Sequence, residues 1–149
     1  MHHKGFSLLE LSIVIGIIVF LAMLAMPSFM RVFSKARRSE AYLQLKSLYV
    51  AQKAYFAEHG MYTTDLSTSG LGWKPEGAVQ YSYGFAAGNE GKSFIGGSLN
   101  APASALTGTQ ATAQSFLCGA AGDIDGDGVA DYLTIDHDGK ITIVVDDLA

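Results

Sequence analysis

Oxygen-bearing side chains alternate along one short segment near the end of the sequence. The odd positions of this nine-residue run, which also contains two glycines, are Asp123, Asp125, Asp127, Val129 and Asp131. The spacing matches the first nine positions of a calcium loop of the EF-hand kind, in which the seventh position binds through its backbone carbonyl. The twelfth position is Thr134 instead of a bidentate glutamate. Two interpretations stay open: a calcium site, or a solvated acidic turn of the kind that Asp-Gly repeats also form.

Other chemically capable residues do not fall into catalytic patterns. Gly91-Lys92-Ser93 resembles the end of a phosphate loop, but Ala86 stands where that loop needs glycine. The four histidines give no metal-spaced pair beyond the first three residues. The single cysteine, Cys118, excludes an intramolecular disulfide within this sequence. We therefore expect no enzyme activity and no required cofactor, with calcium as the one candidate ligand.

A further carboxylate stands out near the start of the chain. Glu10 precedes an apolar run from Leu11 to Met30. About 20 apolar residues suffice to cross a bilayer as a helix, and an acidic residue at the centre of such a helix costs roughly 2.5 to 3.5 kcal/mol. Glu10 is therefore expected either to lie among lipid headgroups or to pair with a positive group. Cleavage after Gly5 would create such a group, the amine of Phe6.

The segment Gly5-Phe6-Ser7-Leu8-Leu9-Glu10, followed by an apolar helix, resembles the type III signal of type IV pilins and the related pseudopilins. The likeness continues through Pro27, Ala36-Arg37 and the stretch from Ala51 to Tyr62. It implies that a prepilin peptidase cuts after Gly5 and methylates Phe6. It also implies that Glu10 pairs with the Phe6 amine of a neighbouring subunit during assembly, and that the turns before Pro27 lose helix in the filament.

Charge is distributed unevenly along the chain. The formal net charge is −4 over 149 residues, and no basic excess points to nucleic acid. Basic residues follow the apolar run, whereas aspartates crowd the last part of the sequence. Two alternatives stay open here, mutual attraction of these regions or two ordinary solvated faces. The Lys and Arg count around the apolar run predicts a cytoplasmic globular part, but the more specific pilin motif implies the opposite orientation, which we adopt.

The chain divides into three predicted segments. Residues 1–5 form a cleaved leader. Residues 6–60 form one long helix, about 80 Å from Phe6 to His59, with a membrane and assembly segment at 6–30. From Ser28 to His59 the sequence has neither glycine nor proline, and Gly60 is the expected stop. Residues 61–149 form a C-terminal globular β domain.

Period-two alternation and turn residues predict the strands of this domain. Val79 to Phe85 and Ser93 to Leu99 form a hairpin, and 100–115 is a surface loop by composition. Three more strands complete an antiparallel sheet, at Ser115 to Cys118, Asp131 to Ile135 and Lys140 to Val145, with a turn at Asp138-Gly139. Leu66, Leu71 and Trp73 are expected to pack on the upper helix. The fold class is therefore α+β and pilin-like, with the C-terminal half of the helix packed against the sheet.

Taken with the resemblance, these features predict a structural subunit of a type IV pilus, processed by prepilin peptidase and polymerised through its N-terminal helix. The expected partners are identical or related pilin subunits in a helical homopolymer, the peptidase, the assembly machinery and the membrane. The chain is expected to cross the inner membrane once before it joins an extracellular filament. Two alternatives stay open: a pseudopilin of a type II secretion system in a periplasmic pseudopilus, and a membrane-anchored calcium-binding or sensory domain that does not polymerise.

Overall fold

A computed structural model describes residues 5, 7–99 and 101–148, without the side chains of residues 27, 28, 30 and 31. It contains one long helix, α1 (Leu8–His59), a short 3-10 helix (Ala103–Ala105) and six strands. The strands are β1 (Ser82–Gly84), β2 (Phe94–Ile95), β3 (Gln110–Ala111), β4 (Phe116–Gly122), β5 (Asp131–Asp136) and β6 (Ile141–Val145). The predicted α+β class, a long N-terminal helix with a small antiparallel sheet, is confirmed.

The chain packs as two compact units, of which the first ends at Phe33 and the second begins at Ser34. In the first unit, Leu8–Met26 is long and apolar enough to cross a membrane, with a mean hydropathy of 2.7 and none of it buried. All of the described side chains from Ser7 to Phe33 are exposed. A helix that is apolar all round needs another apolar phase or other helices to cover it.

In the second unit, the remaining part of α1 is buried along one face. Ala41, Leu45 and Leu48 are fully buried at helical spacing, in a core with aromatic residues in and beside β1 and aliphatic residues of β5. Gln52 is also fully buried. Its amide donates to the Thr63 carbonyl at 2.6 Å and accepts from the Thr63 N–H at 3.3 Å, which ties the chain after the helix back onto α1.

The helix ends where its sequence predicts. Gly60 adopts φ 70°, a left-handed conformation that glycine reaches without strain, and its N–H donates to the Phe56 carbonyl at 2.8 Å. The following connection packs on the helix, as predicted, because Leu66 and Trp73 are buried. The Trp73 indole N–H donates to the Ser47 hydroxyl at 3.1 Å.

The sheet has the strand order β2-β1-β4-β5-β6, with β3 also pairing with β4, and every pair is antiparallel. The predicted turn between β5 and β6 is confirmed, with Gly139 at φ 78°. The β1-β2 hairpin is shorter than predicted. A Cβ at Gly84 would lie 2.4 Å from the Ser93 carbonyl oxygen, so only glycine fits where the two strands approach this closely.

Two other segments differ from the sequence prediction. The predicted surface loop contains the 3-10 helix and β3, because Gln110 and Ala111 pair with the start of β4. Strand β4 continues past Cys118 to Gly122, along small residues that local propensity disfavours in a strand. Their size is what the packing requires, since a Cβ on Gly119 would lie 2.8 Å from the Tyr132 ring.

Candidate functional site

The start of α1 is closed by a reciprocal pair of hydrogen bonds. The Glu10 N–H donates to Ser7 Oγ at 3.2 Å, and the Ser7 N–H donates to Glu10 Oε2 at 3.2 Å. This is a capping box, in which a serine N-cap and a glutamate three residues later satisfy two of the otherwise unpaired donors of the first turn. The S-x-x-E spacing was readable in the sequence, but our sequence prediction treated Glu10 only as a charge in need of a positive partner.

The predicted processing and assembly residues are described in part. Gly5 is exposed, while Phe6 lies outside the described residues, so the pairing of its amine with Glu10 stays a prediction. Pro27 lies within the bounds of α1, and its predicted part in local helix loss also stays a prediction. Because a carboxylate has two oxygens, Glu10 can cap its own helix through Oε2 and still accept a hydrogen bond from a second group.

The acidic loop between β4 and β5 folds around its own aspartates. Asp123 accepts the N–H groups of Gly126 at 2.7 Å and Gly128 at 3.0 Å. Asp125 Oδ1 accepts the Asp127 N–H at 3.1 Å. Gly126 and Gly128 have positive φ angles of 87° and 93°. Glycine adopts such angles without steric cost, which is why it occurs at these positions of tight turns. Asp127 Oδ1 in turn accepts the N–H of Val129, whose side chain is half exposed.

Three of the described carboxylates come together at this loop. Asp123, Asp125 and Asp147 each place a carboxylate oxygen within 4.8 Å of the others. Asp147 lies beyond β6, and its Oδ2 accepts the Ile124 N–H at 3.0 Å, which fastens the chain end to the loop. Partial burial raises the pKa of Asp147, and repulsion from Asp125, Asp127 and Asp123 adds to that rise. Asp147 was not among the ligands that the loop spacing predicted.

Asp131, one of the predicted ligands, lies instead in an ion pair with α1. Its side chain is fully buried, and Arg38 donates to it through Nε at 3.0 Å and Nη2 at 2.6 Å. The Tyr81 hydroxyl and the Asp147 N–H also donate to it, at 2.8 and 3.3 Å. A guanidinium forms two parallel bonds with a carboxylate and is always charged. The structure therefore brings Asp123 and Asp125 together with Asp147, but not with Asp131, and calcium binding stays a prediction.

The basic segment after the apolar run and the acidic end of the chain are in contact, which is one of the two alternatives left open above. Arg38 also pairs with Asp146, whose side chain remains 44% exposed. This bond holds the pKa of Asp146 below its ordinary value. Arg37 Nη1 donates to the Ile124 carbonyl at 2.8 Å. The two arginines thus attach both the acidic loop and the C-terminal residues to α1.

The residues considered for catalysis are buried or held in contacts that do not favour a reaction. Cys118 is fully buried, and desolvation raises the pKa of its thiol, which makes a reactive thiolate unfavourable. The Lys92 ammonium lies 4.0 Å from Asp65. The His59 ring stacks on Tyr55 at a centroid distance of 4.1 Å. None of these side chains is joined to a base or nucleophile by the hydrogen bonds of the described residues.

Several bacterial pilin and fimbrial proteins are similar to this chain in sequence. It is 41% identical over 81 residues to the type IV major pilin protein PilA of Myxococcus xanthus, a match that covers 54% of this chain and 36% of the relative. It is 37% identical over 68 residues to the type IV major pilin protein PilE of Neisseria gonorrhoeae, covering 46% of this chain and 41% of the relative. The chain is a homologue of type IV pilins.

The resemblance to the type IV pilin family is therefore confirmed. A fimbrial protein of Neisseria meningitidis is 35% identical over 68 residues, which are 46% of this chain and 40% of that protein. In each of these three comparisons, the chain covers less than half the length of the relative. No family model matches the chain.

Proposed function

We propose that this chain is a structural subunit of a type IV pilus. In this proposal it is made as a precursor, is cut by a prepilin peptidase between Gly5 and Phe6, and polymerises through its N-terminal helix. The observation that carries the proposal is the apolar part of α1, Leu8–Met26, of which nothing is buried, with Glu10 in its first turn. The similarity to major pilins of two genera supports the same role.

The exposed apolar helix suits both stages of this proposal, the subunit inserted in the membrane and the subunit in the filament. Its length fits a bilayer, which would cover it before assembly. In a filament, the same surface would be covered by the helices of neighbouring subunits. The assembly machinery of the inner membrane would transfer it from one apolar setting to the other, so that the subunit ends in an extracellular filament.

Glu10 is the residue that would set the register between subunits. A carboxylate within an apolar helical array is costly unless a positive group meets it, and the amine of a processed Phe6 is the expected group. The capping box gives Glu10 a competing, purely local role, which is to start its own helix. The two roles predict different behaviour for variants that separate the charge from the hydrogen bond.

Glu10→Gln keeps a side-chain oxygen for the capping box, since glutamine also occupies this position, but removes the charge. Ser7→Ala removes the cap at a cost of about 1 kcal/mol and keeps the charge. We expect the Gln variant to be processed and membrane-inserted but to yield few filaments, and the Ala variant to assemble. Filaments sheared from the cell surface and quantified against precursor and processed subunit in the membrane measure both steps.

Normal filament yield from Glu10→Gln, with loss of filaments in Ser7→Ala, would assign Glu10 to capping alone and contradict the pairing. Mass spectrometry of the subunits in the same sheared filaments tests the function itself. If the chain is absent from surface filaments and present only in short periplasmic assemblies, it is a pseudopilin. If it forms neither, the non-polymerising membrane-anchored alternative is correct.

A further inference from the structure

Within the second unit, the side of α1 opposite to its buried face carries an uncharged stripe, called here the outer stripe. Leu43 and Val50 lie seven residues apart on it and are 73% and 63% exposed. The other members are small, are all exposed and follow at spacings of three or four residues: Ala36, Ser39, Ser47, Ala54 and Ala57. The stripe is about 32 Å long. Such spacing of exposed apolar residues is typical of helices that pair side by side.

One edge of the outer stripe is basic. Lys35, Lys46 and Lys53 share this side of the helix. Lys46 and Lys53 donate to neutral acceptors, a backbone carbonyl and a tyrosine hydroxyl, which leave their charges uncompensated. The hydrogen bond to that hydroxyl and, more weakly, the charge of Asp138 raise the pKa of Lys53. Asp138 thus offsets part of the positive charge, but three lysines against one aspartate leave this edge basic.

The opposite edge of the outer stripe is acidic. Glu40 and Glu58 lie on it, separated by a whole number of helical turns, and Glu76 lines the same surface groove as Glu40 and Leu43. Glu40 accepts hydrogen bonds from two uncharged donors. None of these three carboxylates forms an ion pair within the described part of the chain. Lys74 is close in sequence to Glu76 but lines a different groove.

This charge pattern distinguishes the possible arrangements of two copies. When two such stripes face each other on parallel helices, the basic edge of each copy meets the acidic edge of the other, whereas antiparallel helices bring like edges together. In register, a residue on the basic edge lies beside the residue five positions later on the acidic edge of the second copy. Lys35 is then beside Glu40 of the second copy, and Lys53 is beside its Glu58.

Two further features agree with parallel copies. Asp138 precedes Gly139, the residue whose carbonyl accepts from Lys46, and the residue of the second copy opposite Lys46 is Ala51. No carboxylate of the second copy therefore faces Asp138. In addition, two copies inserted in the same membrane enter it in the same direction, which favours parallel chains independently of charge.

We propose that the outer stripe of α1 joins two copies of this chain side by side, parallel and in register, while their apolar segments hold both in the membrane. Leu43 and Val50 pack on the same residues of the second copy, and the flanking charges fix orientation and register. Such a contact is twofold and closes on itself. Subunits of a helical filament lie at successive heights, so this is a contact between unassembled subunits. It rests on the membrane anchor and not on polymerisation.

Cysteine cross-linking of the full-length protein in membranes tests the register. Leu43→Cys and Val50→Cys each place one exposed thiol on the stripe, and the wild type, with its buried Cys118, measures the background. In register, each new thiol meets its own counterpart, whereas residues 43 and 50 lie about 10 Å apart along the axis, beyond disulfide range. With two tagged forms co-expressed, dimers within each variant should exceed mixed dimers at least about threefold. Thr142→Cys, exposed on β6, controls for random encounters.

Charge reversal provides a second measurement. Added to Val50→Cys, Glu58→Lys places like charges beside Lys53 on both sides of the pair and should reduce the dimer yield at least about threefold. Glu58 is exposed at the surface, so the fold is expected to be unaffected. Copies with Val50→Cys and Lys53→Glu, mixed with copies with Val50→Cys and Glu58→Lys, again have opposite charges at both positions, and their mixed dimers should recover the yield.

Two results would overturn the proposal. One is that mixed dimers between positions 43 and 50 are as frequent as dimers within each variant. The other is a dimer yield of Val50→Cys that Glu58→Lys leaves unchanged. Either result would leave the pilus function untouched, because filament yield is measured separately.

Discussion

Arg38→Met is the substitution that most directly tests how the second unit is held together. It leaves the fully buried carboxylate of Asp131 with two neutral donors, the Tyr81 hydroxyl at 2.8 Å and the Asp147 N–H at 3.3 Å. Removing one partner of a buried ion pair costs about 3 to 5 kcal/mol. Because two donors remain, we expect the lower end of that range, about 3 kcal/mol, or a fall in Tm of about 10 °C for a unit of this size.

Thermal unfolding of the full-length protein in detergent measures this effect. Trp73 is the only tryptophan and lies in the core of the second unit, so its fluorescence reports the unfolding of that unit. Arg37→Met is the matched control, because it removes a single hydrogen bond to the Ile124 carbonyl at a cost of about 1 kcal/mol. Adding Asp131→Asn to Arg38→Met removes the buried charge and should recover much of the loss.

Two results would refute this reasoning. If Arg38→Met and Arg37→Met lower the Tm equally, the buried carboxylate does not depend on its ion pair. If the double variant with Asp131→Asn is no more stable than Arg38→Met alone, the loss comes from packing of the arginine side chain and not from an uncompensated charge.

Four further predictions concern the processing site and the acidic residues of the second unit. Mass spectrometry of the native protein should find a chain that begins at N-methylated Phe6, and Gly5→Glu should leave full-length precursor in the membrane; a start at Met1 in the wild type would contradict the processing. Asp146→Asn should lower the Tm at pH 7, because the folded pKa of Asp146 is depressed, and this difference should fade as the pH falls through that pKa, below the ordinary value of 3.8. Asp147→Asn should not lower the Tm at pH 7, because a raised folded pKa means that the charged form of Asp147 opposes folding there, and any gain should vanish as the pH falls through that raised value. After chelation, millimolar calcium should raise the Tm of the wild type but not of Asp125→Ala or Asp147→Asn, by mass action on the folded state; a Tm unchanged by calcium would leave an ordinary acidic turn.

Local sequence signals were sufficient for the long helix, for its end and for the turn between β5 and β6. The long helix and its end at Gly60 follow from periodicity and from a residue that tolerates positive φ. The turn at Gly139 follows from the same property. The Ser7 and Glu10 capping box was equally readable from its spacing. The extent of β4 was not, because its small residues are poor strand formers and are required by a neighbouring ring at Gly119.

The composition of the acidic site depended on contacts that loop spacing does not contain. Asp131 occupies the ninth position of the calcium-like run, but a guanidinium from a residue 93 positions earlier takes its carboxylate. Asp147 enters the cluster only because β6 returns alongside β5 and places it beside Ile124. Spacing predicts which residues a loop can bring together, whereas the competition of distant partners for a carboxylate is decided by the tertiary fold.

The attachment of the C-terminal residues through Arg38 and Ile124 also determines how the second unit opens. A covalent cross-link would keep this end closed until the whole unit unfolds, but hydrogen bonds and ion pairs permit a smaller cooperative opening. The Ile124 amide is held by Asp147, so in native-state hydrogen exchange it should exchange together with the amides of β6, at a lower free energy than those of β4. Such openings need no reductant, and because ion pairs contribute to the attachment, salt that screens them would make the openings more frequent.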